Sequence, residues 1–434
     1  MFGNRTCIFW FRRDLRIDDN RGLYEALAKG FTVQCIFVFD TTILDKLSRA
    51  IDRRVCFIYD NVVRLKQELV ALGSDLRVYH GPADSILLQA IEEYNAERVI
   101  ANADFDAYSR KRDERIAETL RSKNVVFETF IDHLAFEPES VLKGDGKPYT
   151  VFTPYYRRWI ERLNETGLPY YGSENLPKNF ARVDEKTPML RLEELNFERI
   201  DYRLSNSQVD KTIIENYDKY RDFPGVDGTS RISTALRFGT VSIRQLMGLA
   251  QQLNQVYLKE LIWREFYQTI LYFFPRVEQH AFKPEYEWIA WQNNEKDFEL
   301  WCRGETGYPI VDAAMHQLTE TGWMHNRTRM ITASFLTKHL LIDWRWGEAW
   351  FAEHLSDFET ASNNGGWQWA SGSGCDAAPY FRIFNPLLQQ QKFDPNGIYV
   401  KQWAANIKAQ PMIDHTFARN RCIAVYKKSL YDNK

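Results

Sequence analysis

A parallel α/β domain followed by an all-helical domain is the architecture this sequence predicts, and three observations predict it. Short apolar runs alternate with helical patterns over the first 130 residues, a stretch rich in Pro and Gly follows, and strand-like alternation disappears beyond Ser207. The apolar runs Thr6–Phe11, Val33–Asp40, Leu76–His80, Arg98–Asn102 and Val125–Phe130 read as five buried strands. The intervening segments Arg54–Leu72 and Asp84–Tyr94 carry apolar residues at helical spacing. Strand and helix in alternation imply a parallel sheet covered on both faces. The first strand runs into Arg12-Arg13-Asp14-Leu15-Arg16 where a dinucleotide fold would place GxGxxG, so an ordinary NAD site is disfavoured. Gly144, Gly146, Pro148, Pro154, Gly167, Pro169, Gly172, Pro177 and Pro188 punctuate a segment of little periodicity, read as a long connector draped over the protein. The domains expected are 1–131, a linker 132–206, and a helical domain 207–434.

Bulk composition narrows the field. A chain of 434 residues exceeds one ordinary core. No apolar run reaches eighteen residues and the N-terminus lacks signal-peptide features, so a cytosolic protein without a membrane span is expected. The six cysteines are scattered without metal spacing and read as buried small hydrophobes. A net charge of -2 argues against nucleic acid unless basic residues gather on one face. Aromatic residues make up 15% of the chain, and eleven of the 13 tryptophans lie after residue 260. Such a concentration suits a large aromatic core, stacking on planar ligands, or electron movement.

Four segments carry chemistry. In Arg221–Ser233, Pro and Gly end one element, and Thr229 or Ser230 is expected to cap a new helix whose free amides suit phosphate. Glu260, Trp263, Arg264 and Tyr267 recur at i, i+3, i+4 and i+7 and therefore share a helical face. That face is either a surface salt-bridge network or the wall of a pocket that stacks a base on Trp263. Trp323, Asn326, Arg327 and Met330 are expected on one face as well, with His325 a structural histidine. Trp367 and Trp369, after the Gly365-Gly366 pair, should point to different sides of a helix.

Taken together, these segments resemble the photolyase/cryptochrome family, and within it the class I cyclobutane-pyrimidine-dimer (CPD) photolyases. The resemblance is carried in family order by "WFRRDLRIDDN", "RDFPGVDGTSRIS", "ELIWREFY", "TGYPIVDAAM", "GWMHNR", "ITASFL", "NNGGWQWASG" and "DAAPYFRIFNP". It implies a Rossmann-like five-stranded N-terminal domain, a long linker, and a helical C-terminal domain holding FAD, active when fully reduced and anionic. By motif, Tyr217, Thr229, Ser230, Arg231, Ile232 and Ser233 would contact the flavin phosphates. Arg264, Asn326, Arg329, Asp357, Glu359 and Asn363 would surround the rest of the cofactor, with Asn363 facing flavin N5. Arg221, Glu260, Trp263, Asn326, Arg327, Met330 and Trp369 would hold the lesion, a pyrimidine dimer flipped out of ultraviolet-damaged DNA. The excited flavin would give the dimer an electron, with Glu260 stabilising the charge that develops. Trp367, Trp344 and Trp291 match the family's electron relay to the surface. A monomer is expected. Ser109, in place of a Glu in "SRKRD", and Glu278-Gln279, in place of Cys-Lys, argue against a folate antenna. A deazaflavin, another flavin or no second chromophore remain open. The rivals are a light-sensing cryptochrome, a six-four photolyase and an unrelated nucleotide-binding enzyme. Glu260, Asn363 and His325-Asn326 favour dimer repair over the first two.

Overall fold

The computed structural model describes residues 5–47, 50–202, 209–405 and 410–431; the end of the expected connector, 203–206, lies outside them. Contacts divide the chain into two compact units, each built from separate stretches of sequence. The first takes residues 1–140, 162–208 and 231–249, and the second takes 141–161, 209–230 and 250–434.

In the first unit five strands, β1 (Thr6–Phe11), β2 (Thr32–Asp40), β3 (Leu76–Gly81), β4 (Arg98–Asn102) and β5 (Val126–Phe130), form one sheet in the order β3-β2-β1-β4-β5. All four pairings are parallel, and Phe9 registers with Cys35 on one side and Ile100 on the other. The two-residue period of a strand sorts its side chains between two cores. Phe9 and Phe11 join Phe37, Val55, Leu65 and Leu69 on one face. Ile8 and Trp10 join Ile36, Leu87, Ala90 and Val99 on the other. Sequence periodicity thus located every strand to within a residue at each end.

The connector is less loosely draped than its composition suggested. Phe180, Leu192, Leu195 and Phe197 are buried in the Phe9 core, and the Ala181 amide donates to the Val33 carbonyl at 2.9 Å. Phe152–Thr166 forms a helix of 15 residues inside it. Burial of those four apolar side chains, roughly 1.5–3 kcal/mol each, holds down a segment that lacks periodicity of its own.

The second unit is helical, as expected. Its main core gathers Trp301, Met315, Leu318, Phe335, Trp344, Phe351 and Trp367, so packing is the first role of three of the late tryptophans, whereas Trp288 is largely exposed. No helix among the described residues is long and apolar enough to cross a membrane. All six cysteines are free, and five are buried.

Candidate functional site

A cavity of about 450 Å³ opens in the second unit, within the range of small-molecule sites. Its first wall is the helix Gln255–Phe273, which Asn254 caps by accepting from the Val256 and Tyr257 amides. Glu260, Trp263, Arg264 and Tyr267 all line the cavity from this helix, so the stripe walls a pocket, and Glu260 and Arg264 also form ion pairs there. Phe152, which sequence reasoning missed, stacks on Trp263 with ring centroids 3.6 Å apart and planes 7° off parallel. The Phe152 amide is itself held by Asp376 Oδ2 at 3.1 Å. The Trp263 indole is thereby fixed from behind. Glu265, on the buried side of the same helix, accepts from the Trp159 indole N–H at 2.7 Å and ties the wall to its support.

The helix Asn326–Ser334 forms the second wall. His325 is its cap, Nδ1 accepting from the Arg327 amide, so the expectation of a structural histidine holds. Asn326, Arg327, Arg329 and Met330 line the cavity. Trp323 does not share their face: Gly322 ends the preceding helix with a left-handed φ of 70°, and Trp323 sits in the turn between the two helices.

The third wall is the helix Thr360–Ser371 with the loop before it. Asp357, Glu359, Asn363, Trp367 and Trp369 all reach the cavity. Arg264 Nη2 donates to Glu359 Oε1 at 2.8 Å, and Arg329 Nη2 to Asp357 Oδ2 at 2.8 Å. Asn363 Nδ2 donates to the Glu348 carbonyl at 3.1 Å, leaving Oδ1 as the atom it can offer a ligand. Asn364 Nδ2 donates to the Glu348 carboxylate at 3.1 Å. Burial pushes that carboxyl up to about 7, against the opposing pull of Asn364 and Arg345. Trp367 and Trp369 differ in setting as their spacing required: Trp367 packs on Phe351 and Trp301, whereas Trp369 is half-buried.

Among the described residues, three buried polar atoms on this lining lack partners: Asp357 Oδ1, the Trp367 indole N–H and Arg327 Nε. Buried groups left unpaired are costly and commonly await a ligand. The cavity therefore fits a planar, polar-edged group. It presents orphaned acceptor and donor atoms, a neutral amide oxygen, and three arginine–carboxylate pairs, Arg264–Glu359, Arg329–Asp357 and Arg221–Glu260, in one place.

Arg221 lines the cavity as well, whereas the other expected residues lie elsewhere. Trp344 is fully buried and Trp291 half-buried, both outside the cavity. Tyr217 packs edge-on against Tyr257 at 4.9 Å, and Ser230 Oγ lies 2.8 Å from the Tyr257 hydroxyl. Neither Thr229 nor Ser230 caps a helix. The next helix is Ser233–Arg237 with Ile232 at its cap, because Arg231 takes a left-handed φ of 50° and turns the chain first. Arg231, Ile232 and Ser233 are counted with the first unit, whereas Tyr217, Thr229 and Ser230 belong to the second.

The chain is similar to known proteins over most of its length. A model of the FAD binding domain of DNA photolyase matches residues 257–414, and a DNA photolyase model matches residues 7–175. The deoxyribodipyrimidine photo-lyase of Synechococcus is 37% identical over 92% of this chain and 88% of its own. The bacterial class III photolyase of Agrobacterium tumefaciens superposes with a TM-score of 0.84 at 31% identity, covering 99% of this chain and 98% of that one. An archaeal photolyase from Sulfolobus tokodaii, solved with two FAD molecules, gives a TM-score of 0.83 at 30% identity over 98% of this chain and all of that one.

Proposed function

The chain belongs to the DNA photolyase family, and from that premise we propose that the cavity holds FAD and a pyrimidine dimer side by side. The enzyme is a deoxyribodipyrimidine photo-lyase that repairs cyclobutane dimers in DNA with light. The observation that carries this reading is the meeting in one cavity of the Glu260–Trp263 face with Arg329–Asp357 and Asn363. When bound, reduced FAD supplies the light-driven electron that opens the cyclobutane ring.

The protein's own residues do the rest. Trp263, braced by Phe152, offers a rigid indole to one pyrimidine, and Trp369 offers a second. Base stacking of this kind contributes ~1–3 kcal/mol per base, enough to offset much of the few kcal/mol that extrusion from the duplex costs. Glu260 lies within reach of the base edge and steadies the charge that develops there. Asn326 and Met330 complete the lesion wall, while Arg221 and Arg327 meet the flanking phosphates. On the cofactor side, Asn363 presents a carbonyl oxygen that accepts but cannot donate, which suits a protonated N5. Arg264 and Glu359 fix one edge of the cavity and Arg329 with Asp357 another. Tyr217, Thr229 and Ser230 offer hydroxyls for the phosphate end.

Trp367, Trp344 and Trp291 grade from core to half-buried, the order needed to carry an electron inward to the cofactor. A folate antenna fits poorly: Ser109, where a Glu would serve, donates its hydroxyl to Asp106 at 2.9 Å and accepts no further task. A second flavin is the better candidate, because the similar Sulfolobus tokodaii photolyase was solved with two FAD molecules. The proposal includes a monomer acting on ultraviolet-damaged DNA inside the cell.

The test is direct. Purified protein should carry FAD, and after reduction it should split thymine dimers in an oligonucleotide under blue light but not in darkness. Dimers left intact by a reduced, flavin-loaded sample would sink the proposal.

A further inference from the structure

We infer that Asp222 is a positioning residue acting through Arg327, holding that guanidinium off the nucleic-acid backbone so that any entering strand must first open an internal ion pair. The inference rests on the cavity being the dimer site.

Arg221 and Asp222 are consecutive, yet they grip opposite walls of the cavity. Arg221 Nη1 donates to Glu260 Oε1 at 2.6 Å, on the helix Gln255–Phe273. Asp222 Oδ1 accepts from Arg327 Nη2 at 2.5 Å, on the helix Asn326–Ser334. Both arginines line the cavity. Each cation that could meet a phosphate there is already neutralised by a carboxylate of the protein.

The loop that carries this pair is fixed in place. A Cβ on Gly228 would fall 2.4 Å from Cβ of Tyr220, and one on Gly225 would fall 3.1 Å from Cβ of Ile398. The Phe223 amide bonds to the Tyr220 carbonyl and the Val226 amide to that of Phe223, both at 3.1 Å. The backbone that carries Asp222 is therefore held, and a phosphate can part the pair only by drawing the longer Arg327 side chain off it. That guanidinium rests over the Phe393 ring, 4.3 Å from its centroid.

The two pairs are not equivalent. When a flipped base enters, Glu260 exchanges Arg221 for the base edge, so the carboxylate keeps a partner. Asp222 gains nothing from the lesion. Its side chain is 41% exposed against 17% for Arg327, so on release it can only rehydrate. Opening the Asp222 pair is thus a fixed cost on every strand, damaged or not. Only a strand that also fills the cavity offsets it. Asp222 keeps the enzyme from resting on undamaged DNA, where phosphate contacts alone drive binding.

The experiment is dark binding of FAD-loaded protein to two fluorescent single-stranded oligonucleotides, one undamaged and one with a single thymine dimer. Asp222→Asn should tighten binding to the undamaged strand about two- to five-fold, the range of a partly exposed ion pair. Asp222→Glu should restore the wild-type value. In an Arg327→Gln background the Asp222→Asn change should have no further effect, since the partner is gone. Equal tightening in both backgrounds would reduce Asp222 to a generic negative charge and overturn the inference, as would an Asp222→Asn protein that binds undamaged strand no better than wild type. Failure of the site reading itself looks different: Glu260→Gln and Trp263→Ala would then leave the preference for the dimer strand unchanged, whatever Asp222 does.

Discussion

Glu348 sits one layer behind the cavity, with its backbone carbonyl holding Asn363 and its carboxylate holding Asn364. Burial raises its carboxyl from 4.5 to about 7, while Asn364 and Arg345 pull down and Glu278 and Asp343 add repulsion. Below pH 4.5 both folded and unfolded chains keep the proton. Between about 4.5 and 7 the unfolded chain ionises and the folded chain does not, so the fold loses stability as pH rises and the loss levels off above 7. At about 1.4 kcal/mol per pH unit the loss approaches roughly 3 kcal/mol. Glu348→Gln keeps an acceptor for Asn364 and removes the proton, so its melting temperature should match wild type in acid and exceed it above pH 7. Parallel melting curves across that interval would show that Glu348 does not titrate there. Trp367 supports a second residue-scale expectation. It lies 2% exposed in the core and also lines the cavity, so Trp367→Phe should slow photoreduction of oxidised flavin while chemically reduced enzyme repairs normally. Loss of both activities in a folded, flavin-loaded variant would remove Trp367 from the relay and place it in repair.

Between elements, the contact that sets the rear of the cavity is a helix crossing. Gly347, on the helix Trp344–His354, lets the helix Thr360–Ser371 lay Trp367 against it. A Cβ there would stand 2.1 Å from Cη2 of Trp367 and 2.6 Å from Cδ2 of Leu336. Ala in place of Gly gains about 1 kcal/mol of helix propensity, but overpacking costs about 1–3 kcal/mol. The second effect wins. Gly347→Ala should lower the melting temperature and slow photoreduction by displacing the indole, and a more stable variant would contradict this packing. How much of the site the sequence disclosed follows from the same distinction between one element and two. Glu260, Trp263, Arg264 and Tyr267 were legible because one helix repeats at 3.6 residues and places them together without outside help. Phe152 was not, since its stacking on Trp263 joins positions 111 residues apart and no local pattern marks it. The cap at Thr229 or Ser230 failed because the left-handed turn at Arg231 delays the helix to Ser233, and nothing about an arginine announces that turn. The five strands were readable from periodicity, whereas the pinning of the connector by Phe180 and Leu195 was visible only once the Phe9 core had formed.

At the scale of the whole chain, each unit is assembled from stretches far apart in sequence, and the first must draw residues 231–249 back onto a sheet completed by residue 130. Arg244 is the most deeply buried charge that does so, beside the Leu15 amide on the Phe238 carbonyl and Arg16 Nη1 on the Gly239 carbonyl, both at 3.0 Å. Its side chain is 2% exposed, and its guanidinium reaches Asp19 Oδ2 at 2.9 Å, Asp132 Oδ1 at 2.8 Å and the Asp132 carbonyl at 2.9 Å. Burial alone would raise the Asp132 carboxyl, but Arg16 and Arg244 overcome it and hold the group below the ordinary range. A fork that satisfies two buried carboxylates from a distant segment makes the late segment part of the early fold. Arg244→Met keeps the apolar stem and leaves those carboxylates short of a cation, which typically costs about 3–5 kcal/mol. Arg244→Lys should recover only part of that loss, because a single ammonium cannot span both partners as a planar guanidinium does. A carboxylate held below its unfolded value contributes stability above that value and loses it in acid, so the wild-type advantage over Arg244→Met should shrink as pH falls below about 4. Denaturant titration at neutral and acid pH measures both effects. A loss that is the same at the two pH values would mean that Arg244 acts through packing rather than charge, and that the segment 231–249 is held mainly by its other contacts, such as Phe238 against the Phe9 core.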